Sequence, residues 1–362
     1  MQRHREHKGI LGNEKGMVLA VTLMLIAVLV LLGTTAVMTV TTDLKIAGNY
    51  RQSQVALYNA EAGVEQVIAY LHANTVTYPT VSTPTTTITV SCPTGYSFNT
   101  SVSMNYVAPN TYKFQMTGTG AGNASKTIEA HIKYTSKIPA ATDGAVAMYG
   151  GGPAVQFKTG VGGGYAVDGH DYPVPASPTC NGSAACATTA STTLPATSGL
   201  FTTMAPTLTG DVGAHLGGSP TQAIGTSSET QYQDLVNYVL TNNLYQSTFG
   251  TRAAPAITLV PNGTTLNGNG NGAGIIIVDD GGSLQLSGTF EFEGLIILRG
   301  TGRVFGTGTA NLYGSLITIG HLAKLIDLTG GVDLNYSSAA IANLDKINSL
   351  KTTKQTAWLD VF

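Results

Sequence analysis

MVLAVTLMLIAVLVLLGTTAVMTVTT, residues 17–42, is a run of 26 residues without a charge. At 1.5 Å per residue a helix of that length reaches ~39 Å, more than the ~30 Å hydrocarbon core of a bilayer. Arg3, Arg5, Lys8 and Lys15 precede it against Glu6 and Glu14, and the first charges beyond it are Asp43, Lys45 and Arg51. A basic excess on the N-terminal flank holds that side in the cytoplasm. The expectation is a single-pass protein of the cytoplasmic membrane, with lipid as one partner and the later domains outside. A cleaved secretory signal would need a small-residue site just after the run, and Gly33-Thr34-Thr35-Ala36 is a poor one.

The helical pattern continues past this run. Ile46, Tyr50, Ser53, Leu57, Ala60, Val64, Val67 and Leu71 alternate intervals of four and three, with Lys45, Gln52, Asn59 and Gln66 off the stripe. One long helix is expected over 17–75, its first half in lipid and its second half with a face for packing.

The basic leader ending in Lys15-Gly16, the apolar helix, Ile46-Ala47-Gly48-Asn49-Tyr50-Arg51 and Ala60-Glu61-Ala62-Gly63 together resemble the N-terminal domain of PilX-type minor pilins, over about residues 9–72. The resemblance implies that residues 1–16 are a prepilin-type leader, cut by a prepilin peptidase between Gly16 and Met17. It marks Gly48, Asn49 and Glu61 as family-motif positions. It also implies a non-enzymatic component of a type IV pilus or related filament, which initiates assembly or sits at the tip or surface. Its partners would be other pilins or minor pilins and the inner-membrane assembly machinery. The chain departs from most pilins at the fifth mature position, where Val21 replaces a glutamate. A carboxylate in lipid needs a partner, so a subunit lacking it fits a minor or tip position. Gly33 and Gly48 either let the helix loosen or permit close backbone packing. Glu61 either bonds the overlying sheet or lies on a solvated helix edge.

Pro79 and Pro84 mark a linker, and 80–138 holds four strand-like stretches with alternating apolar residues, such as Val102, Met104, Tyr106 and Tyr112, Phe114, Met116. An antiparallel meander packed on the helix is expected. Further on, Gly274-Ile275-Ile276-Ile277, Gly294-Leu295-Ile296-Ile297 and Gly314-Ser315-Leu316-Ile317 recur every 20 residues. Leu266-Asn267-Gly268, Leu286-Ser287-Gly288 and the segment from Phe305 to Gly308 form a second column. A short fixed period with glycine corners is the signature of a β-solenoid. The expected class is thus α+β and membrane-anchored, with a pilin-like helix and small antiparallel sheet followed by a β-solenoid over 140–338. Ala145–Tyr149, Ala154–Lys158 and Tyr165–Asp168 are candidates for further strands of the stack. Residues 171–255 are expected as a loop-rich insertion with a helix over Glu229–Tyr245, and 339–362, with Trp358, as a partly helical cap or tail.

Composition limits the chemistry. Lys+Arg 18 against Asp+Glu 20 gives net charge −2, with charged residues at 10 %, and no basic stripe suggests nucleic acid. Three cysteines form no zinc pattern. Cys180 and Cys186 bracket a short segment that could close as a disulfide in an oxidising compartment, leaving Cys92 over. Paired acids at Asp168/Asp171, Asp279/Asp280 and Glu291/Glu293 are the candidates for glycoside chemistry or calcium, but Asp-Gly pairs also make ordinary turns. His170, His215 and His321 look isolated, and Gly162-Gly163-Gly164 lacks the Lys-Ser/Thr of a phosphate loop. No catalytic residue, metal or cofactor is assigned. The rival to a filament role is a membrane-anchored protein that binds or cleaves carbohydrate, with a surface or glycan ligand.

Overall fold

The computed structural model describes residues 14–74, 76–139, 141–150, 154–157, 166–177, 188–226, 228–306, 308–320, 325–328 and 331–361. Helix α1 runs unbroken from Glu14 to Ala73. From residue 16 to residue 51 every position is exposed. The threonines in this stretch turn their hydroxyls back on the helix: Thr35 donates to the Leu31 carbonyl at 2.6 Å and Thr42 to that of Met38 at 2.8 Å. A hydroxyl satisfied in this way can sit on an apolar surface.

The second half of α1 packs on an antiparallel sheet. Its strands β1 (Thr85–Thr89), β2 (Ser101–Ala108), β3 (Thr111–Thr119) and β4 (Ser125–Ser136) form a meander. Val102, Met104, Phe114, Met116, Ile128, Ala130 and Ile132 point inward, onto Ala60, Val64, Val67 and Leu71 of the helix. Period-2 alternation in the strands meets the helical stripe, which is why neither element needs a further layer.

The fifth strand corrects the expectation for 339–362. Ser338–Asn343 is helical, but Lys351–Val361 returns to pair antiparallel with β4, Lys351 opposite Ser136 and Val361 opposite Thr127. A twelve-residue β4 left at the edge of the sheet would expose unpaired backbone, and this strand covers it. Everything between Ser136 and Lys351 is therefore inserted between two neighbouring strands of one sheet.

Among the described residues the inserted part is a curled parallel sheet of 14 strands. Ile276 stands opposite Ile296 and Ile296 opposite Leu316, and Gly274, Gly294 and Gly314 align likewise, so the 20-residue interval is a spatial register. The curl shows in one long strand, Ser283–Arg299. Its residues 283–286 pair with 303–306, while 289–299 pair with 309–319. The second repeat column is offset from the sequence alignment: Leu266 faces Leu284, not Leu286, and a register shift falls between Gly268 and Gly270. The segment Ser287–Thr289 carries the extra residues there, so the offset rises from 18 before Gly268 to 20 from Gly270, and it reaches 22 where Thr309 faces Gly331.

Glycine is required at the aligned corner. Gly274, Gly294 and Gly314 have φ of 133°, 137° and 139°. A methyl on Gly294 would strike the Gly274 carbonyl oxygen, and one on Gly314 that of Gly294.

Both faces of these strands are buried. Ile276, Val278, Ile296, Leu298 and Leu316 belong to one core, while Ile275, Ile277, Leu295, Ile297 and Ile317 pack with Tyr232, Leu235, Val236 and Val239 of the helix Glu229–Thr241. Two-sided burial explains why the strands read as continuous aliphatic runs.

Along the column that holds Ile296 the spatial order is 222–224, 198–202, 144–148, 314–318, 294–298, 274–278, 256–260. The chain joins the stack in the middle, builds to one end and passes along the helix Glu229–Thr241 to the far end. From there it builds back to the middle. Residues 171–255 are thus not a loop-rich excursion, since Ser198–Thr202, Thr207–Thr209, Leu216–Gly217 and Gln222–Ile224 are strands of the same sheet. They are too short to show a period in sequence.

Candidate functional site

The long helix and its seat under the antiparallel sheet form the candidate site. Ala56 and Ala60 are fully buried where the end of β3 crosses α1. A methyl on Gly118 would meet the Ala56 carbonyl and the Ala60 nitrogen, and one on Gly120 the Gln52 carbonyl. Small residues on both sides bring strand backbone onto helix backbone. Polar side chains then satisfy the strand end: Asn59 Nδ2 donates to the Thr119 carbonyl at 2.6 Å, and Gln52 Oε1 accepts from the Ala121 amide at 3.0 Å. Gln66 Nε2 also reaches Ser91 Oγ at 3.2 Å. The expectation that Gln52, Asn59 and Gln66 lie off the contact stripe is corrected by these bonds. Ile46 and Tyr50, expected on the stripe, remain exposed because the sheet does not extend that far up the helix.

The family-motif positions separate. Gly16, Met17 and Val21 lie on the exposed apolar half, as do Gly33, Gly48 and Asn49 further along. Around Gly16, Gly33 and Gly48 a methyl would meet nothing within 4 Å, so no close packing among the described residues uses them. Glu61 lines a cavity of about 290 Å³ with Val64, Glu65, Ile128, Gln355 and Trp358. Its carboxylate makes no hydrogen bond to the sheet among the described residues.

The paired acids mostly hold the fold together. Asp279 takes Arg299 Nη1 at 2.5 Å. Asp280 accepts from the Thr301 amide at 2.7 Å and its hydroxyl at 2.5 Å, and these bonds hold its carboxyl below the ordinary value. Each pair ties one turn of the sheet to the next. Glu291 and Glu293 are buried and line a second cavity of about 290 Å³ with Thr251, Arg252, Asn271, Gly272 and Ala273. Glu293 is gripped by Arg252 through both Nε and Nη2, which raises the arginine's pKa above its ordinary value.

His170 is not isolated: its Nδ1 lies 2.6 Å from the buried Asp168, which also accepts from Tyr172 at 2.7 Å. The Asp-Gly-His spacing was the available signal. Asp171 binds the Ser338 amide at 2.9 Å and so anchors the chain leaving the sheet. His215 is buried. Among the described residues no group of three or more His, Cys, Asp or Glu could hold a metal ion. Cys92 is a free thiol, half-buried, with its sulfur 3.4 Å from the Tyr96 carbonyl. Cys180, Cys186, His321 and Gly162-Gly163-Gly164 lie outside the described residues.

Sequence reasoning missed an aromatic cluster at the junction of the two sheets. Tyr78 stacks on Tyr112 at 4.9 Å and approaches Tyr134 at 4.2 Å, and Tyr134 donates to Asp345 at 2.9 Å. Burial pushes the Tyr78 hydroxyl up to about 12 and raises that of Tyr134 as well.

Of this architecture, the helix is long and apolar enough to cross a membrane by length and composition. No match was found among curated protein sequences. Among solved structures the chain is similar to the competence-associated pilin ComZ from Thermus thermophilus, at 11% identity and a TM-score of 0.29, covering 86% of this chain and 98% of that one. That superposition is too loose to bear on the fold. The PilX N-terminal family model matches residues 15–65, the span from the start of α1 to its seat under β3. By that match, residues 15–65 are similar to the N-terminal domain of PilX-type minor pilins.

Proposed function

We propose that the chain is a non-enzymatic minor pilin-like component of a type IV pilus or related filament. In this reading it initiates assembly or displays the curled sheet, a β-solenoid, at the tip or surface. One observation carries it: α1 is divided into a wholly exposed apolar half and a half seated under an antiparallel sheet. An exposed apolar surface of that length is untenable in water and demands lipid or other helices. The helix anchors the chain in the cytoplasmic membrane with its N-terminus inside, and it packs against other pilins once extracted. A prepilin peptidase removes residues 1–16.

Substituting Gly16→Arg in the native host tests this. Wild-type protein should yield a mature chain starting at Met17, and the variant should remain full-length in the membrane. Identical processing of both would sink the proposal.

A second reading rests on the cavity lined by Glu291 and Glu293, in which the chain is a membrane-anchored binder or hydrolase of carbohydrate. The hold of Arg252 on Glu293 counts against a free acid pair there. A glycan-cleavage screen of the purified protein distinguishes the two.

A further inference from the structure

We infer that the folded state of the curled sheet controls docking of the C-terminal strand, and with it completion of the antiparallel sheet under α1. Ser136 and Lys351 face each other as strand partners, and the Lys137 amide bonds the Leu350 carbonyl at 2.9 Å. The chain leaves the antiparallel sheet and returns to it at one point. What holds those ends together is a joint in the middle of the stack. There Val146 lies opposite Leu316 and Met148 opposite Thr318, and Ser315 Oγ donates to the Gly144 carbonyl at 2.7 Å. The first strand of the insertion thus pairs with one of the last. That contact forms only when the stack has built to one end, crossed over and built back.

With the joint closed, residues 137–350 present their two ends side by side. With it open, the same residues become a flexible loop roughly 210 residues long. The chance of closing a free loop falls as the three-halves power of its length, so docking of Lys351–Val361 weakens roughly three-thousandfold. Beside its ladder on β4, the docked strand is held locally by the Thr353 amide, which donates to His72 Nε2 at 2.9 Å, and by Lys126, which pairs with Asp360 at 3.3 Å. The loop-closure factor is set against that ladder, so opening the joint lowers the occupancy of the docked strand. Coupling of this kind is reciprocal, so the docked strand also steadies the curled sheet by tying the ends of its unfolded form.

The consequence for a filament subunit rests on the function proposed above, but the coupling does not. A chain with a misfolded insertion would carry an incomplete sheet, with β4 open at its edge. Such a subunit would be distinguishable from an intact one at the face that packs beside α1.

The test uses full-length protein in detergent with Thr127→Cys and Val361→Cys, which are opposed across β4 and the last strand. Cross-linking between these two sites is followed by peptide mapping. The curled sheet is then unfolded with Ile276→Asp and Ile296→Asp together, and its loss checked by proteolysis between residues 256 and 319. The cross-linking rate should fall by at least a hundredfold. In the other direction, Thr353→Pro removes the amide that meets His72, at a position that pairs with Tyr134 of β4. It should lower the urea midpoint at which 256–319 becomes protease-sensitive. An unchanged cross-linking rate in the unfolded variant, or an unchanged midpoint in Thr353→Pro, would overturn the inference. Neither readout depends on pilus assembly, so each can fail or succeed apart from the filament reading.

Discussion

Gly294→Ala isolates what the aligned corner contributes to the curled sheet. At φ 137° an alanine is strained, by roughly 1–3 kcal/mol. Its methyl would also press on the Gly274 carbonyl oxygen and lie only 3.0 Å from the Gly274 carbonyl carbon and 3.1 Å from Leu344 Cδ2. The Gly274 carbonyl is backbone and fixed by the turn beneath, whereas the Leu344 methyl is the end of a side chain that can give by a few tenths of an ångström. Neighbouring strands sit about 4.8 Å apart, so relief demands that two turns separate by about an ångström. That stretches the ladder bonds on either side, at about 0.5–1.5 kcal/mol each. The total is about 3–5 kcal/mol, at the severe end for a single substitution. Gly263→Ala is the control: φ there is 70°, but a methyl meets nothing within 4 Å, so only the conformational cost of about 1–2 kcal/mol applies. Urea unfolding followed by far-ultraviolet circular dichroism measures both against wild type. If Gly294→Ala is no worse than Gly263→Ala, the corner is not close-packed and the aligned glycines have been misread.

Glu293→Gln should destabilise the protein by about 2 kcal/mol, because it takes the charged partner from the half-buried Arg252 guanidinium, and a melting curve of the variant checks this. Tyr78 is raised to about 12 by burial, so the unfolded chain gives up that proton first. Its stabilising contribution is full below pH 10 and is lost as pH rises from 10 towards 12; Tyr78→Phe should move alkaline unfolding to higher pH. Cys180 and Cys186 should be joined in exported protein with Cys92 free. Thiol labelling after denaturation would find one reactive cysteine, and three would end that proposal.

The sequence by itself determined the elements whose pattern is local. Residues 17–42 define an apolar helix because nothing in them is charged. The intervals of four and three over 46–71 extend it because a helix repeats every 3.6 residues. The interval of 20 through Gly274, Gly294 and Gly314 announced aligned turns, since stacking repeats one environment at a fixed step. Only the tertiary structure decided which strands pair. Lys351–Val361 carries no mark of β4, more than two hundred residues earlier. Ser198–Thr202 and Gln222–Ile224 are too short for a visible period, yet they extend the stack. The acids followed the same division: alternation placed Glu291 and Glu293 on one face, but the grip of Arg252 on Glu293 comes from a separate segment. Backbone periodicity is written along the chain. A pairing partner is selected by burial and by the need to satisfy every edge, and those are properties of the folded whole.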